Sequence, residues 1–469
     1  MKTDTIVAIA TALSDSGIGI VRITGPEAIE IVNQIYVNKT GKNCFDEYGT
    51  HTIHYGYIVD CFSEEKDFRS KILDEVMVAL MKAPNSYTKE DTVEINCHGG
   101  VLLLQRVLDL ILKCGARMAD PGEFTKRAFL NGRIDLTKAE AVMDLIHSQN
   151  EFALKSSVEQ LKGSVSDVIH KLREEIIYEI AFIESALDDP EHISLDGYEE
   201  KLREKTVSIL ERIRKLIASA DNGKMMKEGI NTVIVGKPNA GKSSLLNRMV
   251  GEERAIVTDI AGTTRDVLQE SIRLHGISLN MIDTAGIRNT EDIVEKIGVE
   301  RAKEYASKAD LILYVVDSSV PLDENDREII SVIQNKKVIL LLNKADLEPK
   351  VSEEELENLF FNKDMRIVKT STKENTGMEE FEEIIKEMFF TGHIRANDEV
   401  VITNMRHKEA LVEAEKSLKM VMDSLDMQMP EDFYSIDLMS AYSALGYILG
   451  EEVDEDLVNE IFTKFCMGK

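Results

Sequence analysis

The alternation of apolar and polar positions changes texture three times along the chain. Up to about residue 118, strand-like runs at Ile18–Ile23, Glu75–Met81 and Thr92–Asn96 accompany Val101–Lys113, which has helical length and apolar spacing of three and four. This predicts a mixed α/β region over 1–118. From Lys138 to Ala220 the pattern is long, charged and helical, and Asp188-Asp189-Pro190 and Asp196-Gly197 break it into helices joined by a turn. At Asn231 short apolar runs begin to alternate with helical stretches: Thr232–Val235, Leu279–Ile282, Leu311–Val316 and Val338–Leu342. Strands buried on both faces of a parallel sheet read this way, with helices as crossovers. Beyond about residue 392 the chain is helical again, broken at Pro430. The fold class is therefore α/β plus all-α, with boundaries at 1–118, 119–227, 228–388 and 389–469. Helical texture on both sides of 228–388 suggests an α/β domain inserted into a helical one, although two independent helical domains would give the same pattern. The Glu-rich runs at 353–357 and 379–383 are expected to be solvated helix faces.

Composition narrows the function. A chain of 469 residues predicts two to four domains. With 56 Lys plus Arg against 84 Asp plus Glu, the net charge is −28. That excludes a broadly basic nucleic-acid coat and disfavours an anionic membrane surface, while leaving room for a local RNA site. The acidity is concentrated beyond residue 227. A hydrophobic fraction of 43% excludes a wholly disordered acidic chain. Cys44, Cys61, Cys97, Cys114 and Cys466 are scattered and form no CxxC pair, so a reducing cytoplasm is expected, without a disulfide framework or structural zinc. The N-terminal MKTDTIVAIATAL lacks the pattern of a signal peptide, and the longest apolar runs are too short to span a bilayer.

The chemistry begins at Gly236-Lys237-Pro238-Asn239-Ala240-Gly241-Lys242-Ser243, which fits GxxxxGK[ST] between an apolar strand and the helical stretch Ser244–Val250. The glycines let backbone N–H groups turn around phosphate oxygens, and the helix N-terminus adds a positive dipole. Lys242 is placed to reach the β- and γ-phosphates, and Ser243 to bind Mg²⁺. Asp283-Thr284-Ala285-Gly286 follows a strand as an acidic γ-phosphate sensor would. Asn343-Lys344-Ala345-Asp346 follows Val338–Leu342, where the Asp346 carboxylate can accept two hydrogen bonds from a guanine edge. Adenine would leave that acceptor unpaired, at about 1–3 kcal/mol. Gly262-Thr263-Thr264-Arg265-Asp266 occupies the place of a switch loop, and Ser371-Thr372-Lys373 that of the last guanine-contacting loop. This five-part order defines a Ras-like P-loop GTPase domain over about 228–388. The residue after Asp283–Gly286 is Ile287, not the Gln that orients water in Ras-type enzymes, so hydrolysis needs another group. Glu295 is a candidate, although spacing alone favours an exposed helix carboxylate.

With these motifs in view, the chain resembles the MnmE (TrmE) family of tRNA-modification GTPases over nearly its full length. The resemblance rests on Thr5–Ala8, Val21–Gly25, Pro121–Asn131 (PGEFTKRAFLN), the nucleotide motifs, Thr403–His407 (TNMRH) and Phe465–Lys469 (FCMGK). PGEFTKRAFLN and the terminal CxGK are specific to this family, whereas the GTPase motifs alone would fit many families. The family implies an N-terminal tetrahydrofolate-binding domain, a helical domain from two chain segments and an inserted GTPase. It implies a homodimer that acts with the flavoprotein MnmG, as a heterotetramer, on the wobble uridine of certain tRNAs. The product carries an aminomethyl-type group at C5, built with a one-carbon unit from 5-formyltetrahydrofolate or another tetrahydrofolate.

The resemblance also assigns residues. GTP contacts are implied over Asn239, Ala240, Gly241, Lys242, Ser243 and Ser244, and at Thr258, Asp259, Ile260, Ala261, Gly262, Thr263 and Thr264. They are implied further at Asp283 to Gly286, Asn343 to Asp346, and Ser371, Thr372 and Lys373. Asn239, Thr258, Ile260 and Thr263 match positions holding K⁺, whose charge would stand where an arginine finger acts in other GTPases. Thr264 joins Ser243 on Mg²⁺, and Glu295 matches the family's water-positioning glutamate. Arg22, Glu94, Arg133 and Lys469 match the folate contacts, with Arg133 standing where relatives often have Lys. An Arg fork and a Lys point charge are not equivalent there. Cys466 would read alone as a buried, inert thiol; the family places it near the folate and makes it a candidate for the modification chemistry. Lys126, Arg127 and Arg133 form a candidate basic patch for tRNA, which the partner otherwise holds. Two other readings fit the GTPase motifs: a switch in ribosome assembly or trafficking, and a folate enzyme whose GTPase is only regulatory.

Overall fold

The computed structural model describes residues 4–148, 150–252, 270–274, 277–282, 309–360, 365–374, 376–390, 400–451, 453, 455–463, 465 and 468. The chain divides into two compact units. One comprises Met1–Met143, Gln160–Tyr178 and Tyr442–Lys469, and the other Asp144–Glu159 and Glu179–Ala441.

The first unit opens with β1 (Ile6–Ile9), β2 (Ser16–Thr24), α1 (Ala28–Ile35), β3 (Tyr36–Asn38), β4 (Thr52–Val59), β5 (Ile72–Met81), β6 (Thr92–Gly99), α2 (Val101–Lys113) and β7 (Arg117–Met118). Among the described residues these strands form a seven-stranded sheet in the order β3-β4-β5-β6-β2-β1-β7. Pairing is antiparallel except between β1 and β7. β5 shows why one face is the core: Val76, Val78 and Leu80 are buried while Glu75 and Met77, which alternate with them, are exposed. On α2, Leu104, Val107, Leu108 and Ile111 form a helical stripe that packs into the same core as Val32 and Ile35 of α1.

After α3 (Glu123–Leu130) come α4 (Leu136–His147), α5 (Glu151–Lys162), α6 (Ser164–Asp188) and α7 (Tyr198–Glu228). The two predicted breaks fall where expected: α6 ends at Asp188, and α7 starts after Gly197, whose φ of 70° is left-handed. The second unit continues with β8 (Ile230–Val235), α8 (Lys242–Glu252), β9 (Glu270–Leu274), β10 (Ile277–Met281), β11 (Leu311–Asp317), α9 (Glu324–Ile333), β12 (Val338–Asn343), α10 (Glu353–Leu359), β13 (Arg366–Lys369) and α11 (Met378–Phe390). Their sheet runs β13-β12-β11-β8-β10-β9, all parallel except β9 against β10. β11 explains its unbroken apolar run. Leu311, Leu313 and Val315 enter one core, Ile312, Tyr314 and Val316 the other, so both faces are covered.

The chain ends in α12 (Met405–Asp426), α13 (Glu431–Leu449) and α14 (Glu455–Thr463), with Pro430 at the break between the first two. α7 and α12 lie on opposite sides of the sheet in sequence yet pack together. Arg214 pairs with Glu415 at 2.9 Å and Arg203 with Asp426 at 2.7 Å. A Cβ on Gly223 of α7 would stand 2.2 Å from the Ile402 carbonyl, so the contact needs a glycine. The Glu353–Glu355 carboxylates are exposed as expected, but Glu382 in the other acidic run is turned inward at 9% exposure.

The proposed basic patch at Lys126, Arg127 and Arg133 does not form as a shared surface. Arg127 is 9% exposed and its guanidinium is consumed internally. It donates to the Asp4 carbonyl (2.7 Å), Asp4 Oδ1 (3.0 Å), Glu90 Oε2 (3.0 Å) and Glu123 Oε1 (2.9 Å). Arg117 joins two of these carboxylates, Asp4 and Glu123, from β7. Asp4 is thereby held at a pKa of about 2, chiefly by the Arg117 hydrogen bonds. Replacing Arg127 with Ala leaves Glu90 without its cation and Asp4 and Glu123 held by Arg117 alone, and urea unfolding should show a loss of about 3 kcal/mol at pH 7. Asp4 has a depressed folded pKa, so its contribution is complete above pH 4 and disappears as pH falls toward 2. The difference between wild type and Arg127→Ala should narrow over that window.

Candidate nucleotide site and N-terminal cationic cluster

The phosphate loop grows out of β8. Gly236 has φ 147°, and a Cβ there would stand 2.3 Å from the Val315 carbonyl of the neighbouring strand. Gly241 has φ 103°, and its Cβ would collide with Asn343 Nδ2 at 2.0 Å. Between them Asn239 takes a left-handed φ of 62° and is exposed at the loop's crest. The loop is thus shaped by positions that only glycine fills, which is the cradle a polyphosphate needs. Lys242 opens α8, and its ammonium donates to the Gly236 and Lys237 carbonyls at 2.7 Å each. Burial lowers its pKa from the usual lysine value. Ser243 follows in the first helical turn and Ser244, next to it, is exposed.

The guanine motif is fastened to this loop. β11 and β12 run parallel in a register that sets Asp317 beside Asn343. Asn343 is 1% exposed, and its amide donates to the Ala240 carbonyl at 2.8 Å. Lys344 has φ 63° and its ammonium reaches Asp317 Oδ2 at 2.5 Å. Ala345 N–H donates to the Thr370 carbonyl at 3.1 Å, which docks the loop after β13. From that loop the Ser371 hydroxyl donates to Asp346 Oδ1 at 2.7 Å. This bond is the main cause of a lowered Asp346 pKa, so the group is an ionised acceptor. Thr372 and Lys373 continue the same turn, Lys373 exposed.

Sequence reasoning missed the loop's second anchor. Lys237 pairs with Asp326 at 2.6 Å and Asp323 at 3.0 Å. Asp326 is 1% exposed and also accepts from the Tyr314 hydroxyl at 2.8 Å, within a capping box at the start of α9. The Asp323-x-x-Asp326 spacing was the available signal.

In the first unit, Arg22 of β2 and Glu94 of β6 are register partners, joined Nε to Oε1 at 2.8 Å. The Arg22 guanidinium also donates to the Gly468 carbonyl at 2.9 Å, which ties Gly468 to the sheet. Gly468 has φ 87°, and a Cβ on it would meet the Ile9 carbonyl at 2.5 Å. Arg22 lies 5.9 Å from the Tyr87 ring and 5.7 Å from Phe124, while Arg133 lies 4.7 Å from the same Tyr87 ring. Arg22, Glu94 and Arg133 are therefore brought together. Tyr87, which joins the two cations, carried no sequence signal. Two guanidiniums, an aromatic face and a carboxylate suit a flat heterocycle with an anionic tail.

Thr258 to Thr264, Asp283 to Gly286, Glu295, Cys466 and Lys469 lie outside the described residues. Of the Mg²⁺ set only Ser243 is described, and of the K⁺ set only Asn239. Both carry oxygen donors beside the phosphate cradle, which fits hard cations. No cluster of three or more His, Cys, Asp or Glu arranged for a metal occurs among the described residues.

Two family models match the chain: "GTP-binding protein TrmE N-terminus" over residues 5–133 and "MnmE helical domain" over 136–466. Three curated relatives are each described as a tRNA modification GTPase MnmE. The one from Lachnoclostridium phytofermentans is 56% identical over 469 residues, covering 100% of both chains. Those from Alkaliphilus oremlandii and Clostridioides difficile are each 47% identical, covering 99% of both chains.

Asp346→Asn replaces one acceptor with a donor. GTP affinity should fall by about tenfold to a hundredfold, while affinity for xanthosine triphosphate, whose edge presents an acceptor there, should rise. Nucleotide titration monitored by calorimetry checks both directions.

Proposed function

Because the chain belongs to the MnmE family and is a GTPase of tRNA modification, we propose that it couples GTP hydrolysis to building an aminomethyl-type or carboxymethylaminomethyl group at C5 of the wobble uridine of certain tRNAs. The proposed partner is the flavoprotein MnmG, in a heterotetramer around a homodimer of this chain, in the cytoplasm. The one-carbon unit is proposed to come from 5-formyltetrahydrofolate or another tetrahydrofolate. The observation that carries the nucleotide half is the Asn343 bond to Ala240, which makes guanine recognition and phosphate binding parts of one rigid frame.

In this reading the backbone N–H groups of Asn239 to Ser244 hold the β-phosphate, and Lys242 leaves the loop carbonyls for the β- and γ-oxygens. Asp346 accepts from the guanine edge, with Ser371 fixing its orientation and Thr372 and Lys373 closing over the base. Ser243 with Thr264 would hold Mg²⁺, and Asn239 with Thr258, Ile260 and Thr263 would hold K⁺. Bound there, the cations supply positive charge against the charge that develops on the phosphates. Asp259, Ala261 and Gly262 are assigned to the loop carrying those donors, Asp283 to Gly286 to γ-phosphate sensing, and Glu295 to positioning the attacking water. No membrane partner is proposed; no helix among the described residues is long and apolar enough to cross a membrane.

For the folate, Arg22 and Arg133 would face the carboxylate tail across Tyr87, and Glu94 would accept from pterin N–H donors. Lys469 would add a further cation from the turn that Arg22 already holds through Gly468. Cys466 beside it is assigned to the modification chemistry and not to GTP hydrolysis.

Reconstitution with the flavoprotein, a folate one-carbon donor, an amine and undermodified tRNA should give C5-modified uridine on nucleoside analysis only when GTP is present. Arg22→Ala should abolish the product while hydrolysis remains; product formed equally well without GTP or folate would overturn the proposal. Separately, GTPase rates in KCl and NaCl at equal ionic strength should differ severalfold in favour of K⁺, and Asn239→Ala should remove that difference.

A further inference from the structure

Cys61 and Cys114 are 53 residues apart, yet their sulfurs stand 3.8 Å from each other. Cys61 is exposed and lies two residues past β4; Cys114 is half-buried and caps the C-terminus of α2. Each is held by its own local structure. The connection after β4 is closed by Asp60 N–H on the Lys71 carbonyl at 2.9 Å, Phe62 N–H on Asp60 Oδ1 at 3.0 Å and Lys71 Nζ on the Ser63 carbonyl at 2.7 Å. Cys114 N–H donates to the Leu110 and Ile111 carbonyls at 3.1 Å each, and its side chain packs against the core of the first unit. The remaining described cysteines are placed otherwise: Cys97 is 3% exposed inside the sheet, and Cys44 bonds to the Tyr48 hydroxyl at 3.2 Å.

We propose that Cys61 and Cys114 form a reversible oxidation site, a vicinal dithiol that low-molecular-weight disulfides convert to an intramolecular disulfide. A metal is not what the pair suits, since no third ligand gathers with it among the described residues. Bond formation requires the sulfurs to approach by about 1.8 Å, a movement that side-chain rotation on the exposed loop can supply. The exposed Cys61 is the point of entry. Its thiolate attacks one sulfur of the reagent RSSR, forming a Cys61–SR mixed disulfide and releasing one RS⁻. Cys114 then gives up its proton, its sulfur attacks Cys61 Sγ, and the second RS⁻ leaves. Two protein thiols are oxidised to one disulfide while RSSR is reduced to two RSH. Burial pushes the Cys114 thiol up to about 12, with the neighbouring Cys61 and Asp60 adding to it, which suits Cys114 as the protected second thiol. The disulfide would clip the β4–β5 connection to the end of α2.

The test treats the full chain with oxidised glutathione and counts free thiols, followed by non-reducing peptide mapping. Wild type should lose two of its five thiols, yield one joined pair of peptides carrying Cys61 and Cys114, and revert fully with dithiothreitol. Cys61→Ser, a change at an exposed position, should give no joined peptides and leave Cys114 unmodified. Cys114→Ala should stop at a glutathione adduct on Cys61. A wild-type protein that also stops at that adduct, or a joined pair involving another cysteine, would overturn the proposal.

Discussion

The nucleotide half of this protein depends on one buried amide. Asn343 ends the interior strand β12, is 1% exposed, and donates its Nδ2 hydrogen to the Ala240 carbonyl of the phosphate loop. A buried donor left without that acceptor would cost about 1–3 kcal/mol, so the strand end and the loop cannot drift apart cheaply. The same amide sits where a Cβ on Gly241 would be, so the glycine and the asparagine require each other. Through this contact the Asp346 carboxylate, three residues on and proposed to read the base, inherits the position of the loop. Lys237 then fastens the loop's other shoulder to Asp326, whose remaining bonds go to Tyr314 and to the cap of α9. The phosphate loop and the Asn343–Asp346 segment are therefore placed by the parallel sheet and not by loops acting alone.

The first unit uses a different device for a comparable end. Arg22 satisfies Glu94 across the strands and the Gly468 carbonyl at the chain's far end. One guanidinium has a planar fork of donors, which lets it join two such acceptors at once; a lysine would offer a point charge without that geometry. The consequence is that Gly468 is tied to the sheet, and that the Arg22 guanidinium near Tyr87 is already partly desolvated and oriented. A ligand arriving there meets preorganised donors and loses less in ordering them.

Legibility in the sequence followed burial. β11, β12 and the α2 stripe were readable because their faces are covered, and their apolar pattern records it. β3, β9 and β13 were not, since short strands at or near sheet edges carry mixed residues. The phosphate and guanine motifs were readable because glycine and carboxylate chemistry is tied to fixed spacing. Lys237–Asp326, Arg22–Gly468 and the Tyr87 face were not, because their partners are brought together only by the fold, across 89 positions in the first case and 446 in the second. Arg127 shows the reverse error. A cation in a run of cations looks like surface, but its length lets it reach inward to three carboxylates, and nothing local in the sequence reveals that.

That inward turn bears on how an acidic chain handles RNA. At −28, its long-range field repels polyphosphate, and only locally exposed cations could offset this. The cations that cluster in sequence are engaged elsewhere: Arg117 and Arg127 by Asp4 and Glu123, Arg22 by Glu94, and Lys126 by Asn459. Freeing Arg117, Arg127 or Arg22 for a phosphate would strand a carboxylate, and freeing Lys126 would break its bond to the Asn459 amide. The repulsion and the prior commitment of these side chains point the same way: neither the chain's long-range field nor this group of cations is set out to hold an RNA backbone.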